Sequence, residues 1–471
     1  MLDFGRDFLA SFAPDIVFLA DNFPKQPRCS IDTRSLESGD IFVALVGDKD
    51  DGHKHIETAF ELGASGVVMD AAKRSVLDKL DASVWSDKFV ALVPDPYDFL
   101  IELARNWRQK FTYPLVAITG SVGKTSSKEI VSRILSRAGI KHLATLGNQN
   151  TMLGVALNIL KLHGQHRTAV FEVGISSRGE MRRIADILRP TSAAVTCVGH
   201  CHMAGLGSIN DIASEKRAIF SFFAEDGIGI VNGDQPILAN VSYGHPVIRF
   251  GSKTTNQVQA RKIQMGSDKA TFVLKLYGVR HKITVHNNHI GSVFNALVAS
   301  AIAHVLDIDQ KIIVEAIQEP LNIARRFERR TLKNVSGVLI DDAYNASPES
   351  VKAALLAFEK VQTNGTKLAV LGDMLELGVN APFWHRQLGR FLRKVPSLRE
   401  VVLVGEHVRW TKSTVPLGVK VHMAQNWEEA TRLVKGQIGQ DSVVLVKGSL
   451  ALGLSHLVDE LSSSVITQER A

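Results

Sequence analysis

One segment constrains this chain more than any other: Leu115-Val116-Ala117-Ile118-Thr119-Gly120-Ser121-Val122-Gly123-Lys124-Thr125-Ser126. The apolar residues Leu115 to Ile118 predict a strand, and Ile130, Val131, Ile134 and Leu135 fall at helical spacing before a stop at Gly139. A strand, a glycine-punctuated turn, Lys-Thr and a helix in that order make a phosphate cradle. Glycines let backbone N–H groups turn toward an anion, Lys124 reaches the outer phosphates, and the Thr125 hydroxyl can ligate Mg²⁺ at the positive end of the helix. A nucleoside triphosphate is the expected ligand, held by Thr119, Gly120, Ser121, Val122, Gly123, Lys124, Thr125 and Ser126. The bland alternative, a glycine turn that binds nothing, is rarely framed by strand and helix in this way.

The spacing narrows the class. The common loop is G-x-x-x-x-G-K-[ST], but position 118, where its first glycine belongs, is isoleucine. A shortened T-G-x-x-G-K-T loop points away from motors, GTPases and transporters and toward ATP-using ligases. No guanine-specifying N-K-x-D element is present.

At 471 residues the chain exceeds what one hydrophobic core usually supports, so two or three domains are expected. No window offers eighteen uncharged apolar residues, which argues against a membrane-spanning helix. The first twenty residues carry Asp3, Asp7 and Asp15 and lack a basic region before an apolar run, so no signal peptide is expected. The three cysteines, Cys29, Cys197 and Cys201, form no disulfide framework and suit a reducing cytoplasm. Cys197 and Cys201 beside His200 and His202 invite a zinc reading, but no second ligand pair with metal spacing follows. The net charge of +7 permits nucleic acid, yet the basic residues are scattered. Only Arg325, Arg326, Arg329 and Arg330 cluster, and a solvated face explains such a cluster as well. No nucleic-acid partner is expected.

Three α/β domains follow from the alternation of elements. Residues 1–110 hold short strands at Ile41 to Leu45 and Gly66 to Met69, with a helix between them. Residues 111–320 hold the phosphate loop and further strands at Ala169 to Val173 and Ala193 to Cys197, predicting a mostly parallel sheet with helices on both faces. Residues 321–471 contain apolar runs at Val338 to Ile340, Leu368 to Leu371, Val401 to Val404 and Val443 to Val446, predicting a second, Rossmann-like doubly wound sheet.

A triphosphate bound with Mg²⁺ needs ligands beyond the loop threonine. Two predicted strands end in acids, Glu172 and Asp341-Asp342. The second pair lies far down the chain, in the next domain, so Glu172 is preferred for the metal. His202, just past a strand, is either a metal ligand or a structural polar residue. Lys216 reads as an ordinary helix-surface lysine. Asp32-Thr33-Arg34, followed by Gly39-Asp40 and Asp51-Gly52-His53, offers donors for a diphosphate or a base edge.

Together these motifs resemble the Mur ligases of bacterial cell-wall synthesis, over nearly the whole chain. The resemblance runs from Asp32-Thr33-Arg34 and the phosphate loop through Gly147-Asn148-Gln149-Asn150, Glu172-Val173-Gly174, His202 with Gly207-Ser208, and Asn295-Ala296-Leu297. Its most specific strings are Asp341-Asp342-Ala343-Tyr344-Asn345-Ala346-Ser347-Pro348 and Gly372-Asp373-Met374-Leu375-Glu376-Leu377-Gly378, with His385 and Lys447-Gly448-Ser449 after them. They favour a member that joins D-alanyl-D-alanine to UDP-N-acetylmuramoyl-tripeptide, since the D-N-P-R-like motif of its sisters is missing.

The resemblance implies an ATP- and Mg²⁺-dependent amide ligase working through an acyl phosphate; a cytoplasmic monomer is the expectation beside it. It implies that Lys124 holds phosphates, that Thr125, Glu172 and His202 serve Mg²⁺, and that Lys216 becomes a carbamate that also meets the metal. Asn295, Arg326 and Asp342 would contact the nucleotide. The N-terminal domain, with Thr33, Arg34 and Asp51, would grip the UDP end, and Asn148 to Asn150 the muramoyl-peptide portion. Asn345 would also contact substrate, while Asp373, Glu376, Lys447 and Ser449 would lie near the incoming dipeptide, as the C-terminal domain closes over the site. The chain departs from the family pattern in carrying Gly291 and Ser292 where His and Asn are usual. It also carries Arg325 where glycine precedes the family arginine, leaving Arg325 or Arg326 as the functional one, and Ser176 and Ser177 in place of a usual polar pair. The rival readings are a folylpolyglutamate synthetase, which would not need the first domain, and a nucleic-acid-linked NTPase.

Overall fold

The computed structural model describes residues 4–224 and 226–466, so Asp3 and the outermost ends of the first and last segments lie outside it. Three sheets of five, nine and seven strands follow one another along the chain. In the first, the strands run in the order Val17–Asp21, Phe89–Val93, Gly66–Asp70, Ile41–Val43, Cys29–Ser30, and all but the antiparallel Val17–Asp21 are parallel.

The helix Pro96–Arg108 leaves this sheet for the next. Asp95 caps it by accepting from the N–H groups of Tyr97 and Asp98, and proline occupies the first turn, where its missing N–H costs nothing. Its buried Trp107 belongs to one core with Phe4 and Phe89 on one side and Met152, Ile184 and Leu188 on the other. The indole N–H donates to Leu162 O at 3.1 Å, and Arg108 donates to Leu188 O and Phe111 O at 2.8 and 2.6 Å. Around residue 110 the chain is therefore packed on both sides rather than a free linker.

The central sheet is ordered His142–Ala144, Thr168–Glu172, Leu115–Thr119, Ser192–Val195, Ile228–Asn232, Val247–Gly251, Val258–Met265, Ala270–Leu276, Val279–Val285. It is parallel as far as Val258–Met265, and the last three strands form antiparallel hairpins. Ala270–Leu276 alternates buried and half-exposed residues, and its two neighbours carry exposed polar residues such as Arg261, Lys262, Arg280 and Lys282, so none makes a continuous apolar run and the sequence did not single them out. On one face, Ile130, Val131 and Ile134 of the helix Lys124–Arg137 pack with Val293, Leu297 and Ala301 of the helix Ile290–Val305.

The third sheet runs Lys420–Ala424, Leu398–Val404, Lys367–Gly372, Ser442–Lys447, Gly337–Asp341, Glu328–Leu332, Ser462–Val465. Its first five strands are parallel and its last two pairings antiparallel. The arginine cluster is no surface patch. Arg326 reaches the phosphate loop, Arg329 donates to Ser267 O and Asn288 Oδ1 of the central domain, and Arg330 meets Asp459. Among the described residues no helix is long and apolar enough to cross a membrane.

Candidate active site

The strand Leu115–Thr119 lies between its neighbours in a register that sets Ile118 opposite both Glu172 and Ala194. The loop that follows opens at the carboxyl ends of all three strands. Gly120 has φ +145° and Gly123 has φ +89°, conformations that side-chain-bearing residues avoid. A Cβ on Gly120 would collide with Thr196 Oγ1, and one on Gly123 would sit 2.5 Å from Asn295 Oδ1. Thr196 Oγ1 donates to Val122 O at 2.6 Å, and Ser121 N–H donates to Cys197 O at 2.8 Å, so the next strand end fixes the loop's shape. Gly123 then starts the helix Lys124–Arg137 without any side-chain cap, leaving its first N–H groups for an anion. Lys124 Nζ meanwhile rests on Gly120 O at 2.9 Å.

Glu172 is 1% exposed at the end of the neighbouring strand. Its Oε1 accepts from Asn150 Nδ2 at 2.7 Å, while its buried Oε2 has no partner. The Asn150 side chain therefore faces Glu172, and Gly174 leaves room for it, since a Cβ there would lie 2.9 Å from Asn150 Oδ1. Lys216 is also 1% exposed, on the buried side of the helix Ile209–Arg217, against the sequence-level expectation of a surface lysine. Burial, countered by Cys201 and reinforced by Lys124, pushes its ammonium down to about 8. Burial raises the Cys197 thiol, which contacts Val122 O at 3.5 Å. Among the described residues no group of three or more His, Cys, Asp or Glu side chains is gathered to hold a metal alone.

A cavity of about 350 Å³ extends from the loop to the C-terminal domain, bounded by Asn295, Arg326, Asp342, Tyr344, Asn345 and Lys447. Arg326 Nη2 donates to Thr125 Oγ1 at 2.9 Å with its guanidinium 4.1 Å from the Tyr344 ring. Of the two candidate arginines, Arg326 is the one that reaches the loop. Lys447 donates to Asp342 Oδ2 at 2.6 Å and to Asn345 O at 3.0 Å, which ties this lysine to the wall of the cavity that holds both residues. His289 lines the same cavity, its Nδ1 accepting from Gly291 N–H at 3.0 Å, and burial pushes it down to about 4, so it is neutral.

The remaining expected residues divide by what their side chains do. Asp373 is buried and accepts from the N–H groups of Glu406, His407 and Val408 at 2.9, 3.1 and 2.8 Å, so its carboxylate is committed to the fold. Ser449 Oγ accepts from Leu375 N–H at 2.9 Å, and buried His385, pushed down to about 4 by desolvation, accepts from Met374 N–H at 3.3 Å. These three pin the loop that presents Glu376, whose Oε2 lies 2.7 Å from His202 Nδ1. The His202 bond holds the Glu376 carboxyl below its usual range. In the first domain Asp51 is tied to His53 at 2.7 Å and to Lys73, while half-buried Thr33 and exposed Arg34 open the short helical turn Thr33–Ser35, with Arg34 paired to Asp32 at 2.7 Å. Asn148 is exposed, away from the phosphate loop's cavity lining.

Sequence reasoning missed Thr196, Tyr344 and His289, and it missed the pairing of His200 with Glu349 across the two domains. Tyr344 lay within a quoted string and Thr196 at a strand end, but their contacts join segments far apart in the chain.

Residues 118–303 match the family model described as the Mur ligase middle domain, and residues 325–450 that described as the Mur ligase, glutamate ligase domain. Over 440 residues the chain is 30% identical to the UDP-N-acetylmuramoyl-tripeptide--D-alanyl-D-alanine ligase of Bacillus subtilis, with 93% of each chain covered. It is 32% identical over 448 residues to the enzyme of that name from Escherichia coli, covering 92% of this chain and 93% of that one. A crystal structure of MurF from Acinetobacter baumannii superposes with a TM-score of 0.83 at 27% identity, covering 97% of this chain and 98% of that one.

Proposed function

The chain belongs to the Mur ligase family, and from that premise we infer that it joins D-alanyl-D-alanine to UDP-N-acetylmuramoyl-tripeptide at the expense of ATP, a step in peptidoglycan precursor synthesis. The observation that carries this reading is the cavity where an uncapped helix N-terminus and Lys124 face Arg326, Asp342 and Lys447 of another domain. Such a cleft suits a triphosphate whose outer phosphoryl group must meet a second substrate.

A carboxylate is a poor electrophile, so its oxygen first attacks the γ-phosphorus, giving an acyl phosphate and ADP. The dipeptide amine then attacks the acyl carbon, and phosphate leaves from the tetrahedral intermediate. We assign Lys124, the loop N–H groups and Arg326 to the charge that spreads over the phosphoryl oxygens, and Asn295 and Asp342 to holding the nucleotide. Hydrolysis of the acyl phosphate is avoided by excluding water, which the contacts of His202 and Ala204 with Glu376 and of Arg326 with Thr125 serve by closing the C-terminal domain on the loop.

The residues present fit Mg²⁺. Glu172 Oε2 is a buried, unpartnered carboxylate oxygen, and a cation there would draw further ligands from phosphate oxygens. Thr125, Glu172 and His202 would hold it, and bound Mg²⁺ would neutralise charge on the transferring group. Lys216 as an ammonium opposes a cation, whereas its amine adding to CO₂, with loss of one proton, yields a carbamate that would attract one. We infer a monomer that works in the cytoplasm, where ATP and a nucleotide-linked substrate are both available.

Phosphate release that requires both UDP-N-acetylmuramoyl-tripeptide and D-alanyl-D-alanine tests this function. Release driven instead by folate, DNA or RNA would overturn it.

A further inference from the structure

Lys128 lies one helical turn beyond Lys124 and is 2% exposed, a rare place for an ammonium. Its Nζ donates to Thr145 O at 2.7 Å and pairs with Glu129 Oε1 at 2.6 Å. Thr145 follows the strand His142–Ala144, and the donor its carbonyl would meet in that register, Glu172 N–H, goes to the Thr145 hydroxyl instead, so Lys128 supplies the missing donor. Thr145 N–H is bound to Val170 O at 3.0 Å, and its buried Oγ1 accepts the N–H of Glu172, also at 3.0 Å.

The loop that begins at Thr145 ends at Asn150, which is anchored by Gly174 N–H donating to Asn150 O at 2.8 Å. The side chain of Asn150 then binds one oxygen of Glu172 and leaves the other unpartnered. Lys128, Thr145 and Asn150 thus form one chain of hydrogen bonds around Glu172, anchored on the same helix that begins at the phosphate loop. A leucine at position 128 would fill the space without the cost of burying charge, but Thr145 O would lose its donor.

We propose that Lys128 is a positioning residue of the reaction: through Thr145 and Asn150 it fixes the carboxylate of Glu172 so that Oε2 is presented to the cation that accompanies ATP. This rests on the reading of Glu172 as a cation ligand. It assigns Asn150 to orienting that carboxylate instead of gripping the peptide. Partners that orient a ligand without touching the metal are worth about 10–100-fold in metal affinity.

The test is Mn²⁺ binding to the full-length protein with ADP, followed by electron paramagnetic resonance, alongside steady-state kinetics. Lys128→Met is expected to weaken Mn²⁺ binding about tenfold and to shift the Mg²⁺ activation curve by the same factor, with KM for both peptide substrates unchanged and kcat restored by excess Mg²⁺. Lys128→Arg, which keeps a donor, should recover part of the loss. Thr145→Val keeps volume and removes the acceptor for Glu172 N–H, so it carries the same test should Lys128→Met fail to fold. Unchanged Mn²⁺ affinity in a folded Lys128→Met or Thr145→Val protein, with binding abolished by Glu172→Gln, would overturn the proposal and leave the cation site standing. Unchanged affinity in Glu172→Gln would overturn the cation reading itself, and the proposal with it.

Discussion

His200 Nδ1 donates to Glu349 Oε1 at 2.6 Å while the His200 backbone N–H donates to Oε2 at 3.2 Å, so one carboxylate of the C-terminal domain grips the central domain twice. The imidazole also lies 4.2 Å from the Trp384 ring, and the preceding residue, Gly199, exchanges hydrogen bonds with Ser121 Oγ at 2.9 and 3.2 Å. The phosphate loop is thereby connected, residue by residue, to the first turn of the helix Pro348–Lys360.

Removing that grip should loosen closure. His200→Ala is expected to lower the closed-to-open ratio roughly fivefold, equivalent to about 1 kcal/mol for a half-exposed pair. Small-angle scattering with an ATP analogue and the tripeptide substrate should show less compaction than the parent protein, and kcat should fall by a similar factor. Equal compaction in both proteins would remove the latch from the account.

The Lys124 ammonium donates to Gly120 O within its own loop and carries little of the fold. Lys124→Ala should lower kcat by about 10³-fold or more, as expected for loss of a cation that meets transition-state charge. The thermal midpoint should stay within a few degrees. Full retained activity would exclude the cradle role.

Asp341 is 1% exposed, and burial, reinforced by Glu328, pushes its carboxyl up to about 6. The folded state therefore holds a proton that the unfolded chain releases near pH 4. This contribution to stability is present below pH 4 and is lost as pH rises through 6. Asp341→Asn keeps an acceptor for Ala343 N–H, which now donates to Oδ1 at 3.0 Å. Denaturant titrations should find the variant no more stable than the parent at pH 4 and on the order of 2 kcal/mol more stable at pH 7. A pH-independent difference would show that the buried carboxyl does not titrate as described.

Lys216 has no carboxylate partner among the described ion pairs, and its amine sits in the same neighbourhood as Lys124. Protein equilibrated with ¹³C-bicarbonate should display one carbamate resonance that disappears in Lys216→Ala. Degassed, CO₂-depleted enzyme should lose activity and regain it with bicarbonate. A spectrum identical in parent and variant would sink the carbamate assignment.

Much of this molecule was legible one residue at a time. The parallel strands at Leu115, Ala169, Leu368 and Val443 are buried on both faces, so they read as continuous apolar runs, and the strained glycines announced the loop between strand and helix. Glu172 was legible as the acid that ends the neighbouring strand. The hairpins from Val258 to Val285 were not, because polar residues that stay in or near solvent interrupt the run. Nor was the burial of Lys216 and Lys128, since a lysine on a helix carries no mark of the face it occupies.

The amino-acid order by itself determined the phosphate loop, the three α/β segments and the residues able to meet a triphosphate, because strand and turn preferences act over a few neighbouring residues. Only the tertiary structure decided how those residues are shared out. It bound Asp373 into the fold, drew Lys447 to Asp342, turned Asn150 toward Glu172 and joined His200 to Glu349. The reason is that a hydrogen bond or a buried charge depends on distance in space, and the packing of three sheets sets those distances between residues as far apart in the chain as Thr125 and Arg326, 201 positions.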